Sequence, residues 1–238
     1  MASGQKTVAG QSEFQPYAYS LIMPVFQLSD ELVFPQPDLA EPDGLLAIGG
    51  DLSPQRLIQA YTAGIFPWYS EGDPIMWWSP DPRLVLFPEE FKRHKSLRRL
   101  VGSGKFSVTI DVDFAGVIEA CSKAERKEQE GTWITKEMQE AYVRLFESGC
   151  AHSVECWLND ELAGGLYGVA LGKIFFGESM FHNVTDASKV ALWHLVDYLL
   201  KNDFKLIDVQ QDTQHLRSFG ARPVSREEFL KLLHDNIL

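Results

Sequence analysis

The sequence predicts an α+β protein: a small N-terminal α/β domain, then a larger domain with a mixed, mostly antiparallel sheet and flanking helices. Three observations carry that reading. The stretch from Val33 to Arg83 is dense in Pro, Gly and Asp and holds only short apolar runs. Three long apolar segments between Ser153 and Phe181 are separated by two-residue turn signals, Asn159-Asp160 and Leu171-Gly172, which is the pattern of an antiparallel meander. A helix-period segment follows at once, and then short strand and helix patterns to the end. A chain of 238 residues, 45% apolar and 23% charged, has ordinary globular proportions and can bury a core unaided.

Taken in order, residues 1–25 read as a flexible leader, 26–85 as the small domain and 86–238 as the larger domain, with the boundary near Arg83–Pro88. In the small domain Leu45–Ile48 is a strand ending at Gly49-Gly50. Ser53 then caps a helix with Pro54 in its first turn, Leu57, Ile58 and Tyr61 on one face, and Gly64 as the stop. In the larger domain Ser107–Asp111 is a strand. Phe114, Val117, Ile118 and Cys121 mark one amphipathic helix, and Met138, Ala141, Tyr142, Leu145 and Phe146 mark another closed by Gly149. The meander strands are Ser153–Leu158, Leu162–Ala170 and Lys173–Phe181. Thr185–Lys201 is the strongest helix, and Lys205–Gln210, Thr213–Phe219 and Ala221–Ser225 read as strand, helix and strand.

Composition removes several classes of function. No apolar run approaches the ~20 residues of a membrane span, and the N-terminus lacks a secretory n- and h-region. Cys121, Cys150 and Cys156 form no CxxC pair and no even disulfide set, so reduced structural thiols in a cytoplasmic protein are expected. The six histidines show no ligand spacing, and no metal is expected. The net charge of −11 opposes general nucleic-acid binding. One run goes the other way: Lys92, Arg93, Lys95, Arg98 and Arg99 fall within eight residues, leaving the remainder more acidic still. The run is either a solvated helix face or a contact for one anionic partner.

The element order from the meander onward resembles the acyltransferase fold of the GNAT superfamily. Acyl-CoA users of that fold hold pyrophosphate on a glycine-rich loop before the central helix. The segment in that place, His182-Asn183-Val184-Thr185-Asp186-Ala187, has no glycine. Asp186 is expected to cap the helix and repel a phosphate, so CoA is not expected as cofactor. In the strand Lys205–Gln210, Leu206, Asp208 and Gln210 share a face by alternation. The carboxylate and amide could accept a proton and orient an amine, or could meet water on an exposed strand. Glu178 stands among bulky apolar residues and needs a partner if buried, either a substrate ammonium or a structural Arg or Lys. The aromatics of Gly64–Tyr69 and Met76–Arg83 are core, or a wall for an apolar ligand.

These segments together closely resemble the bacterial leucyl/phenylalanyl-tRNA–protein transferases. The matching runs are Glu41–Pro54, Gly64–Tyr69 (Gly-Ile-Phe-Pro-Trp-Tyr), Trp77–Arg83 (Trp-Trp-Ser-Pro-Asp-Pro-Arg), Gly131–Thr135, Gly177–Phe181 and Leu206–Gln210. The resemblance implies transfer of Leu or Phe, less readily Met, from aminoacyl-tRNA to proteins beginning with Arg or Lys, which marks them for N-end-rule degradation. By the same resemblance Asp208 and Gln210 handle the acceptor amine, and Glu178 and Ser179 lie beside the aminoacyl ester. Trp68, Trp133, Tyr61, Tyr142, Leu166 and Phe175 form the side-chain pocket and stack the terminal adenosine. Arg93, Lys95, Arg98 and Arg99 meet the tRNA backbone. The competing readings are a CoA-dependent N-acyltransferase and a non-enzymatic RNA- or peptide-binding module on the same fold.

Overall fold

The computed structural model describes residues 25–124 and 132–237. All but the last residue of the expected leader, and Gly131 of the Gly131–Thr135 run, lie outside the described residues.

The first unit is a four-stranded sheet with one helix. Strands β1 (Phe26–Leu28), β2 (Leu45–Gly49), β3 (Phe66–Pro67) and β4 (Met76–Trp78) lie in the order β1-β2-β4-β3. Helix α1 (Pro54–Thr62) starts where Ser53 accepts the Arg56 N–H and Pro54 presets the first turn. It stops because Gly64 takes φ +76°, a left-handed conformation natural only to glycine, after which the Ile65 N–H returns to the Ala60 carbonyl at 2.8 Å. The face carrying Leu57, Ala60 and Tyr61 is fully buried. Strands β1, β3 and β4 have no counterpart in the sequence reading, because two or three residues are too few for an alternation to register.

The second unit opens with β5 (Arg83–Leu86), α2 (Lys95–Gly102), β6 (Ser107–Ile110), α3 (Phe114–Lys123) and α4 (Lys136–Glu147). The meander follows as β7 (Ala151–Leu158), β8 (Glu161–Leu171) and β9 (Ile174–His182). Helix α5 (Ala187–Lys201), β10 (Leu206–Gln210), α6 (Gln214–Ser218), β11 (Arg222–Val224) and α7 (Arg226–Ile237) complete it. The strands form one sheet in the order β11-β5-β10-β9-β8-β7-β6, antiparallel except where β9 and β10 run parallel. The α+β class and the meander–helix–strand order stand as expected. The expected boundary at 85/86 falls inside β5, which pairs with both β10 and β11 and so belongs to the large sheet. Helix α7, absent from the sequence reading, buries Phe229 and Leu233 against the same core as α1.

Helices sandwich the sheet. On one face α3, α4, α7 and α1 share a core with the first unit, through Tyr61, Phe114, Val117, Met138, Tyr142 and Phe176. On the other, α5 and the start of α2 pack around Leu97, Leu195, Val196 and Ile207. Each such apolar side chain, fully buried, stabilises the fold by ~1.5–3 kcal/mol. The two units are therefore joined by a continuous core, and Tyr61 from the first reaches the sheet of the second.

Candidate active site

Strands β9 and β10 are hydrogen-bonded only as far as the Phe176–Asp208 register. Beyond it Gly177–Met180 and Val209–Gln211 part and face one another across a cavity of about 820 Å³. Its walls are mostly apolar: Leu166, Phe175, Met180, Leu192, Leu195 and Ile207 on the sheet and α5 side, with Phe66, Trp68 and Trp133 opposite. The cavity exists because two parallel strands lose their pairing partner halfway along and nothing fills the gap.

Glu178 is the one carboxylate in that cavity's lining, beside the polar Ser179, Gln210, Gln211, Thr213 and His215. It occupies a β-bulge: Tyr167 pairs with Ser179 and Gly168 with Gly177, leaving Glu178 as the extra residue. Its side chain is 8% exposed. Tyr142 donates its hydroxyl to Oε2 at 2.9 Å, and the Gln210 amide donates to Oε1 at 2.9 Å. Tyr61 hydrogen-bonds Tyr142 in turn. Burial pushes the Glu178 carboxyl up to about 7, hydrogen bonds from Tyr61, Tyr142 and Gln210 offset part of the rise, and the charge of Asp208 adds to it. Burial likewise holds the Tyr61 and Tyr142 hydroxyls well above their ordinary value, with the Glu178 charge as the next cause, so both remain donors. Of the two partners foreseen for Glu178, a structural Arg or Lys is not what holds it, since its protein donors are the neutral Tyr142 and Gln210.

Asp208 is arranged differently. It is fully buried and lies outside the cavity wall. Arg83 grips it with both arms of the guanidinium, Nε to Oδ1 at 2.8 Å and Nη2 to Oδ2 at 2.7 Å, and the Gln210 backbone N–H donates to Oδ1 at 3.1 Å. Asp208 and Gln210 do not meet one surface: Asp208 points into protein, where Arg83 on β5 is its diagonal neighbour, and Gln210 reaches the cavity. The exposed-strand alternative also fails. Between Asp208 and Gln210 the β5–β10 register shifts, and Gln210 takes φ +57°. That turn sends its amide to Glu178.

Other predicted residues divide. Trp68, Trp133, Leu166, Phe175, Glu178, Ser179 and Gln210 line the cavity. Tyr61 and Tyr142, expected in its wall, lie behind Glu178 with no exposed surface, because their hydroxyls are drawn to the carboxylate. Lys95, Arg98 and Arg99 are exposed on α2, and the buried Leu97 fixes that helix with its basic side outward. Arg93 departs from the group: it pairs with Asp197 at 2.6 Å and lies over the Trp193 ring at 4.4 Å, pinning the chain before α2 to α5. Asp186 also departs from expectation. It makes no side-chain cap, takes φ +70° and pairs with Lys189 at 2.6 Å. The α5 start is instead pressed on β8, where a Cβ at Gly164 would come within 2.7 Å of the Ala187 Cβ.

Sequence reasoning missed Arg83, although it saw the motif that ends there. The available signal was a lone arginine opening an apolar run, Arg-Leu-Val-Leu, which needs a buried anion if that run is a central strand. It also missed Met180, Leu192 and Leu195, which periodicity assigns to core as readily as to a cavity wall. Among the described residues no three His, Cys, Asp or Glu side chains gather as metal ligands, and no helix is long and apolar enough to cross a membrane.

Comparison with known proteins identifies the family. Residues 85–234 match the family described as leucyl/phenylalanyl-tRNA protein transferase, and residues 50–81 match the N-terminal domain of that family. A leucyl/phenylalanyl-tRNA–protein transferase of Syntrophobacter fumaroxidans is 60% identical over 90% of this chain and 92% of its own. One from Solidesulfovibrio magneticus is 59% identical over 89% and 85%. Among solved structures, a GCN5-related N-acetyltransferase from Kribbella flavida has a TM-score of 0.37 at 7% identity, covering 71% of this chain and 60% of that one.

Proposed function

Because the chain belongs to the leucyl/phenylalanyl-tRNA–protein transferase family, whose members are aminoacyltransferases, we propose that it transfers Leu or Phe, and less readily Met, from aminoacyl-tRNA to proteins beginning with Arg or Lys. The peptide bond so formed would mark those proteins for N-end-rule degradation in the cytoplasm. The observation that carries the reading is a buried carboxyl, pushed up to about 7 by burial, set in a mostly apolar cavity.

The chemistry asks little beyond positioning and one proton. An aminoacyl ester is already activated, and a protein α-amino group of pKa ~7.7–8.0 is partly neutral at pH 7. The amine nitrogen attacks the ester carbonyl, forming C–N, and the C–O bond to the terminal ribose breaks. The proton leaves the amine and finally protonates the ribose oxygen. We assign its transit to Glu178 rather than Asp208, since a group titrating near 7 can both take and return a proton at neutral pH, while the Asp208 oxygens are held by Arg83. Gln210 commits Nε2 to Glu178, which leaves its Oε1 to accept from the incoming amine. The cavity receives the Leu or Phe side chain and the terminal adenosine, with Trp68 and Trp133 in the wall that both touch. Lys95, Arg98 and Arg99 meet the acceptor-stem phosphates. Neither CoA nor a metal enters the balance.

The test is transfer of labelled Phe from Phe-tRNA to a protein beginning with Arg, with and without RNase, and with EDTA. Transfer that RNase abolishes and EDTA spares is expected. Absence of transfer, or a requirement for acyl-CoA, would overturn the proposal.

A further inference from the structure

Two hydrogen-bonding arms converge on Glu178. One runs from α1 through Tyr61 to Tyr142 and the carboxylate, the other from β10 through Gln210. Both begin at the same side chain. Arg83 is fully buried, and besides its two bonds to Asp208 its Nη1 donates to the Gly64 carbonyl at 3.3 Å, in the turn that ends α1 three residues after Tyr61. The guanidinium carbon lies 4.6 Å from the Phe66 ring centre and 4.7 Å from that of Phe229, so first unit, sheet and α7 all close on it. Phe66 is itself in the cavity wall.

We propose that Arg83 is a positioning residue for aminoacyl transfer, holding the Gln210 arm through Asp208 and the Tyr61 arm through Gly64 so that both meet Glu178. The proposal rests on the function given above. A non-glycine residue at φ +57° is uncommon and must be held there by its surroundings. The bond from the Gln210 N–H to Asp208 Oδ1 does this, and that oxygen is in turn fixed by the planar fork of Arg83. The pair therefore works by geometry: what the site needs from Asp208 is an oxygen aimed at the Gln210 N–H, not a proton acceptor.

Two double substitutions separate geometry from charge. Arg83→Met with Asp208→Leu replaces the buried pair by apolar groups of similar size, an exchange that folded proteins often tolerate, and removes the oxygen. Arg83→Gln with Asp208→Asn is equally neutral but keeps an amide oxygen for the Gln210 N–H. The first is expected to fold, to keep its KM for Phe-tRNA, and to lose about 10- to 100-fold in kcat, the scale of a misplacement of roughly 1 Å. The second is expected to recover most of that rate. In hydrogen exchange the Gln210 amide should be protected in wild type and in the Gln/Asn variant, and fast in the Met/Leu variant. Wild-type kcat in the Met/Leu variant, or a Gln/Asn variant as slow as Met/Leu, overturns the proposal. If the Met/Leu variant does not fold, the Gln/Asn variant alone decides, near-wild-type kcat supporting the proposal and a loss beyond ~100-fold refuting it. Wild type inactive on Phe-tRNA would refute the functional reading, and the exchange pattern would still report whether the pair orders Gln210.

Discussion

Glu178 and Asp208 are two buried carboxylates on adjacent strands of one sheet, and their surroundings give them opposite capacities. Glu178 sits at a bulge beside an open cavity with only neutral donors around it, and burial lifts it to about 7. Asp208 sits two residues short of the strand end with a guanidinium across both oxygens and no contact with the cavity. One can exchange a proton at neutral pH, and the other can hold a backbone in place. Residue type alone does not distinguish them. Whether the strand is paired or parted at that point does.

The comparison breaks most visibly at Glu178. Glu178→Gln keeps shape but cannot carry a proton, so kcat should fall by the ~10²–10⁴-fold typical of general acid–base groups. Steady-state kinetics on Phe-tRNA and an Arg-starting peptide would show it, and a loss under threefold would remove Glu178 from proton transfer. Asp208→Asn should act mainly on stability. It leaves the Arg83 charge buried with half a partner, a change of the kind that costs ~3–5 kcal/mol, measurable in urea unfolding. A variant as stable as wild type would mean that Arg83 finds another anion.

Glu178 itself should destabilise the fold in neutral and alkaline solution. Its folded value lies above the ordinary 4.5, so its contribution is whole below about 4.5 and is lost as pH rises through about 7. Glu178→Gln is therefore expected to be the more stable protein above pH 7, by about 3 kcal/mol, with the gap closing toward pH 4. A gap independent of pH would point to packing instead. Replacing Lys95, Arg98 and Arg99 by Ala should flatten the log–log salt dependence of tRNA binding by roughly two to three units. An unchanged slope would place the tRNA elsewhere. The smallest effect belongs to the apolar pocket, where one methylene is worth only ~1–3 kcal/mol. Trp133→Ala should weaken aminoacyl-tRNA binding and blur the preference for Phe and Leu, and unchanged rate and preference would make that tryptophan core.

The meander, α5 and the caps of α1 were legible because each is a local signal. The Asn159-Asp160 turn, for example, takes φ +52° and +63°, as its residue types favour. Alternation placed Asp208 and Gln210 on one face, yet could not say what the face meets. Its partner Arg83 is 125 residues away, and the bulge that redirects Gln210 leaves no mark in composition. Tyr61 and Tyr142 read as pocket aromatics for a similar reason: nothing near them in sequence reveals a carboxylate 36 residues beyond Tyr142. Helix α7 was legible and went unread: Phe229, Leu230, Leu233 and Ile237 carry helical spacing.

The most direct test of the division between the two carboxylates is the pH dependence of kcat/KM below pH 7.5, with one Arg-starting peptide and Phe-tRNA, in wild type, Glu178→Gln and Asp208→Asn. Below 7 the wild-type profile should rise more steeply than the acceptor amine alone requires; that extra slope should persist at reduced height in Asp208→Asn and vanish in Glu178→Gln, leaving the amine's own limb. An extra slope lost in Asp208→Asn and kept in Glu178→Gln would make Asp208 the base and contradict the account.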